Sequence, residues 1–199
     1  MLEKRILLDK PMCDKITTEF FTLRRMKQYQ VWRVPNSAAF YNPATGVRIL
    51  HNPGVIKSIS DVVGKELIPS YCYGRLYTKG DKLEKHTDRK ASEYAVSITT
   101  GTSGGEWPLW IEDGDDIEVV TKLGECVIYK GHELLHWRDE LEFDWCTQLL
   151  LFYVDANGKY KDLANETRYH NFHDPKTTLP KVDNVQEIQP ELINLEGKE

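Results

Sequence analysis

The sequence predicts a mainly β domain with flanking helices, an α+β arrangement built on a barrel or jelly roll. Three observations carry that reading. The chain opens with an amphipathic helical pattern, its apolar period changes from helical to two near Ser70, and short strand-like runs then follow one another across Gly, Asp and Ser turns. With 199 residues, 40% of them hydrophobic, the chain suits one well-filled core. The expected organisation is a single domain with a helical and irregular flank over residues 1–69, a β core over 70–155 and a polar extension over 156–199.

Taken in order, Met1 to Lys10 alternates charges around Ile6-Leu7-Leu8 and lacks the apolar length of a signal peptide. Asp9 followed by Pro11 marks a helix start. Met12, Ile16, Phe20 and Leu23 then recur on one face, which predicts a helix to about Gln30. Pro35, Asn36, Asn42, Pro43, Gly46, Asn52, Pro53 and Gly54 divide the next segment into turns and short extended pieces. A second helix is expected after Gly54, where Val55, Ile59, Val62, Val63 and Leu67 keep helical spacing until Pro69 stops it. From Ser70, Tyr71, Tyr73, Arg75 and Tyr77 share one face of a strand, with Cys72, Gly74 and Leu76 on the other. Further strands are expected over 94–100, 107–111, 117–120, 125–130, 134–139 and 147–154.

Composition excludes several classes. A net charge of -5 and a pI near 5.7 give no general attraction for nucleic acid or an anionic membrane. No stretch approaches membrane-spanning length. Cys13, Cys72, Cys126 and Cys146 form no C-x-x-C pair, which fits buried thiols in a reducing compartment. A soluble, intracellular, cytoplasmic protein is expected.

The segment G-D-K-L-E-K-H-T-D-R, residues 80–89, places His86 and Asp88 two positions apart at what should be the start of a strand. In extended backbone they point to the same side, so an imidazole and a carboxylate can share one metal. The segment G-H-E-L-L-H-W-R-D, residues 131–139, offers a third ligand, His136 or His132, which have the same strand parity. Two imidazoles and a carboxylate leave three octahedral positions open, the arrangement suited to non-haem Fe(II), whereas structural zinc closes its shell, usually with thiolates.

The tyrosine strand, His86-Thr87-Asp88, the Gly-led run G-E-C-V-I-Y-K over 124–130 and His136 occur in an order that resembles the 2-oxoglutarate and Fe(II)-dependent dioxygenases, within them the prolyl 4-hydroxylase-like branch. The likeness runs from about Tyr71 to Asp155. It implies a double-stranded β-helix core with the N-terminal helices packed on one sheet. It also implies His86, Asp88 and His136 as catalytic iron ligands, with His132 a polar residue near the barrel mouth. Fe(II), 2-oxoglutarate and O2 follow as cofactor and cosubstrates, and ascorbate as a reductant. Tyr77, in R-L-Y-T-K-G, matches the tyrosine that hydrogen-bonds the cosubstrate.

The chain departs from this pattern at one place. The family puts a Lys or Arg at the start of the last strand to pair with the far carboxylate of 2-oxoglutarate, but D-W-C-T-Q, residues 144–148, has no cation. A carboxylate buried without a partner is costly, so another cation should reach in. Arg138, two residues beyond His136 and facing the same way, is the first choice because its planar fork suits a carboxylate. Arg75 is second and Lys130 or Arg89 third, with Gln148 or Thr147 adding a neutral hydrogen bond.

The implied reaction is hydroxylation of an unactivated C–H bond, in a prolyl or other residue of a peptide or protein, or in a free amino acid or small metabolite. Asp88 fills the position that halogenating relatives leave for halide. No nucleic acid and no membrane partner is expected. A cupin-like module that binds metal or ligand without turnover is the competing reading. Tyr71 and Tyr73 read as barrel packing, Trp107, Trp110, Trp137 and Trp145 as cleft or core, and the tail motif His170-Asn-Phe-His173 as solvated. Arg89 suits either an anionic substrate or an exposed ion pair.

Overall fold

A computed structural model describes residues 2–31, 34 and 36–165 of the chain. Helix α1 (Lys10–Arg25) starts where expected, because the Asp9 side chain accepts the Met12 N–H at 2.9 Å and Pro11 occupies the first turn. It buries Cys13, Ile16 and Phe20. It ends earlier than the apolar pattern suggests: Lys27 turns left-handed at φ 58°, and Gln30 is drawn into an extended bridge with Ala39.

The segment expected to hold turns and short extended pieces contains a short strand, β2 (Ala38–Tyr41), and also a short helix, α2 (Ala44–Leu50), that the turn residues do not suggest. Asn52 then caps α3 (Pro53–Val63) by accepting from Gly54 and Val55, and Gly64, left-handed at φ 72°, terminates it. Gly64 rather than Pro69 is thus the stop. Leu67 and Pro69 belong to strand β3 (Leu67–Thr78), where Pro69 faces Tyr153 next to a register shift that tolerates the missing donor.

The remaining strands are β1 (Leu2–Ile6), β4 (Leu83–His86), β5 (Tyr94–Thr102), β6 (Leu109–Asp113), β7 (Asp115–Val119), β8 (Glu125–Tyr129), β9 (His136–Arg138) and β10 (Trp145–Asp155). They form two antiparallel sheets, β1-β8-β5-β10-β3-β2 and β4-β9-β6-β7. From β3 onward the chain passes repeatedly from one sheet to the other, which makes a double-stranded β-helix. Strand β1 carries no apolar alternation, being an edge strand largely exposed beyond Leu2, and pairs with β8 from Leu2↔Tyr129 to Ile6↔Glu125. Trp107 precedes β6 instead of opening it, buried with its indole N–H donating to the Asp139 carbonyl at 3.0 Å.

The period-two pattern of β3 divides two cores. Cys72 and Leu76 pack with Ile16, Phe20, Ile98, Cys126 and Leu149 beneath the helices. On the opposite face Tyr71 joins Ala95, Leu109, Ile111, Val127, Tyr129 and Phe152 between the sheets. All four cysteines are free and buried. Beyond β10, Asn165 donates to the Pro69 carbonyl and Ser70 to that of Leu163, tying the start of the extension to β3. His170 and His173 lie outside the described residues. No helix among the described residues is long and apolar enough to cross a membrane.

Candidate active site

Strand pairing places the two histidines together. His86 is the last residue of β4 and not, as the sequence suggests, the start of a strand; its cross-strand partner is His136, the first residue of β9. Their rings lie 4.4 Å apart. Each Nδ1 faces the backbone carbonyl two residues earlier, Glu84 at 2.8 Å from His86 and Leu134 at 3.0 Å from His136. A carbonyl only accepts, so Nδ1 carries the hydrogen and Nε2 keeps the lone pair.

Asp88 completes the group from the segment after β4. Its N–H donates to the Gly131 carbonyl at 2.8 Å, and its Oδ1 lies 3.7 Å from His86 Nε2 and 3.8 Å from His136 Nε2. Gly131 is required here by space, because a Cβ would sit 2.7 Å from Asp88 Oδ2. One ligand atom from each of His86, Asp88 and His136 lies within 4.8 Å of the others. Burial pushes the His136 pKa down to about 4, so the imidazole is neutral at pH 7. The Tyr129 ring meets that of His136 edge-on at 5.0 Å.

These donors fit a divalent metal with open positions, because two imidazole nitrogens and one carboxylate leave a six-coordinate shell half filled and no cysteine joins the cluster among the described residues. They line a cavity of about 500 Å³ between the sheets. Tyr77, Arg75, Arg138, Arg89 and Gln148 line the same cavity. Tyr77 is buried, which raises its pKa, with Arg75 and Arg138 the main opposing influences. Arg138 is 3% exposed; its Nη1 donates to the Trp107 carbonyl and its guanidinium lies 4.8 Å from the Trp107 ring centre. Arg75 donates to Ser37 Oγ at 2.8 Å and to the Tyr73 hydroxyl at 3.2 Å. Gln148 is held by Thr99 Oγ1 at 3.0 Å and Cys146 Sγ at 3.3 Å.

Other candidates lie elsewhere. His132 bonds the Glu93 carbonyl at 3.3 Å and meets the Tyr160 ring, outside the cavity lining. Lys130 pairs with Glu133 at 2.9 Å. Thr147 faces α1, with Thr17 Oγ1 at 2.9 Å. Trp110 and Trp137 stack on each other, Trp145 meets Phe21, and none of these, nor Trp107, lines the cavity. Tyr71 and Tyr73 both do, so packing and cavity wall are one role here. Sequence reasoning missed Tyr129, whose position just before Gly131 was a usable signal, and Tyr41, which came from a segment with no strand signal.

No protein-family model matches the chain, and no curated protein sequence matches it. Solved structures do share its fold. The non-haem α-ketoglutarate-dependent epimerase SnoN from nogalamycin biosynthesis superposes with a TM-score of 0.65 at 11% identity, covering 96% of this chain and 92% of that one. A Pseudomonas putida prolyl-4-hydroxylase gives 0.60 at 13%, covering 76% and 91%. HygX from Streptomyces hygroscopicus, with nickel, 2-oxoglutarate and hygromycin B bound, gives 0.60 at 10%, covering 78% and 83%. The chain therefore has the double-stranded β-helix fold found among Fe(II) and 2-oxoglutarate oxygenases.

Proposed function

We propose that the protein is an Fe(II)- and 2-oxoglutarate-dependent oxygenase that hydroxylates an unactivated C–H bond. The observation that carries this is the His86–Asp88–His136 cluster, open on one side and set in the wall of a cavity between the two sheets. Iron, when bound, would supply O2 activation coupled to oxidative decarboxylation of the cosubstrate. The chain's own part begins with orientation: the Glu84 and Leu134 carbonyls hold both Nε2 atoms toward Asp88, and Gly131 leaves space for the carboxylate.

Arg138 is the cation that the start of the last strand lacks. Its burial against Trp107, whose ring Tyr77 also meets, and its share in the cavity lining support a pairing of Arg138 with the far carboxylate of 2-oxoglutarate, with the Tyr77 hydroxyl adding a hydrogen bond. Arg75, whose guanidinium lies 5.4 Å from the Tyr77 ring centre, is the second choice. Gln148 lines the cavity as well. Leu109, Leu150 and Phe152 wall the space against water.

The fold shared with a prolyl-4-hydroxylase supports a peptide residue as substrate. The cavity's size and aromatic lining favour a second form of the same reaction, on a free amino acid or small metabolite. Anaerobic titration with Fe(II) and 2-oxoglutarate tests the assignment: a metal-to-ligand charge-transfer band is expected, followed by succinate formation on admitting O2. Absence of both would leave metal binding without turnover, the cupin-like alternative.

A further inference from the structure

The buried phenols of the β core differ in how their hydroxyls are satisfied. Tyr71 shares a hydrogen bond with Ser92 Oγ at 2.7 Å, and the Tyr153 hydroxyl donates to the Leu50 carbonyl at 3.1 Å. Tyr77 and Tyr129 are buried as deeply, at 3% and 1% exposed, yet neither hydroxyl bonds to any described residue. A buried phenol without a partner is costly, and phenylalanine would fill the same space without that cost. Both side chains line the cavity, so the hydrogen-bonding capacity of each is left to what fills it. The resemblance to the dioxygenases assigns a task to Tyr77 and none to Tyr129.

Tyr129 is fixed at the metal end of the cavity. It closes β8, paired with Leu2 of β1 and Ala95 of β5, and two residues later the Gly131 carbonyl accepts the Asp88 N–H. Its ring meets the His136 ring at 5.0 Å and an interplanar angle of 68°. Burial and then the Asp88 carboxylate push the Tyr129 pKa well above the usual phenol value, with Arg138 opposing. The charges acting most on Tyr77 are instead Arg75 and Arg138. Coulombic influence weakens with distance, so the two phenols divide the cavity between them, Tyr77 at the arginines and Tyr129 at the cluster.

We infer that the Tyr129 hydroxyl donates a hydrogen bond to the carboxylate end of the ligand that chelates the metal, which on the oxygenase reading is the 2-oxo acid end of 2-oxoglutarate. The identity of that ligand rests on the oxygenase reading; the position of the donor rests on the cavity wall. Arg138 and Tyr77 then serve the far carboxylate, and Tyr129 orients the end held at His86, Asp88 and His136.

The test uses the full chain loaded with Ni(II), titrated calorimetrically with 2-oxoglutarate and with oxalate, which chelates a metal but has no far carboxylate. Tyr129→Phe keeps the ring against His136 and removes only the hydroxyl. It should weaken both ligands about tenfold, the loss of one hydrogen bond to a charged acceptor, with Ni(II) affinity unchanged within about twofold. Arg138→Met should weaken 2-oxoglutarate alone. The ligand-free Tyr129→Phe protein should unfold in urea no earlier than wild type, because no protein hydrogen bond is lost. Unchanged affinity for both ligands, loss confined to 2-oxoglutarate, or a lowered urea midpoint in the ligand-free variant would each overturn the inference. Wild-type binding of 2-oxoglutarate is measured first. If it fails, the oxygenase reading falls, and oxalate alone decides on Tyr129: weaker binding in the variant supports the donor, and equal binding removes it.

Discussion

His86 and His136 use the same local device, an imidazole N–H returned to the carbonyl two residues back, so each ring is oriented by its own strand end. His132 has a different setting, against Glu93 and Tyr160. His136→Ala should therefore cost more than the roughly 10–100-fold in metal affinity typical of losing an outer partner, while His132→Ala leaves affinity nearly intact. Equilibrium dialysis with Mn(II) measures both; loss in the His132 variant alone would refute the ligand assignment. Gly131→Ala pushes a methyl against Asp88 Oδ2 and should lower metal affinity about tenfold. Arg138→Met preserves volume but removes the charge. It should weaken 2-oxoglutarate binding by about 2–5 kcal/mol with metal binding retained, as read by titration of the metal-loaded protein. Unchanged cosubstrate affinity would move the role to Arg75.

At the scale of elements, the packing of α1 on the major sheet depends on one close approach. Phe20 stacks on Phe40 at 4.8 Å and fills the space over Gly74, where a Cβ would come within 2.3 Å of the Phe20 ring. Gly74→Ala should destabilise by about 1–3 kcal/mol and Phe20→Ala by about 3–5 kcal/mol. The double variant should cost less than their sum, because removing the ring removes the clash. Urea unfolding of the four proteins gives the cycle, and strict additivity would show that the contact does not govern docking. The corner joining β3 and β10 depends on charge. The Lys65 ammonium, and then the Asn157 N–H, hold the Asp155 carboxyl below the usual carboxylate range. A depressed folded pKa contributes stability that is present above the unfolded value near ~3.9 and lost as pH falls through the folded value. Asp155→Asn should thus flatten the acid limb of the urea midpoint below about pH 4 while lowering the midpoint at pH 7. An unchanged acid limb would assign that titration to other carboxylates.

For the whole molecule, the proposed metal and cosubstrate would occupy the cavity between the sheets, whose lining includes residues of β3, β4, β9 and β10. Ni(II) with 2-oxoglutarate at about 100 times the dissociation constant should add about 2.7 kcal/mol of apparent stability, seen as a rise in Tm that His86→Ala abolishes. A rise that persists in that variant would place the ligand outside the cluster. The apolar face of α1, the two faces of β3 and the order of the later strands were legible in the sequence because each buries one side, and burial writes a period of 3.6 or two into the chain. Strands β1 and β2 and helix α2 were not, since an edge strand with exposed residues and a short helix containing Gly46 take their stability from the sheet they join. His86 and Asp88 were legible as a pair two residues apart in extended backbone. The sequence by itself determined the donor types and the fold class, and it shows that the start of the last strand carries no cation. Only the tertiary structure decided that His136 and not His132 joins the pair, that Arg138 lies buried beside Tyr77, and that Tyr41 and Tyr129 complete the wall. The physical reason is that parity along a strand states which side a residue faces, whereas distance across the barrel depends on register between strands far apart in sequence.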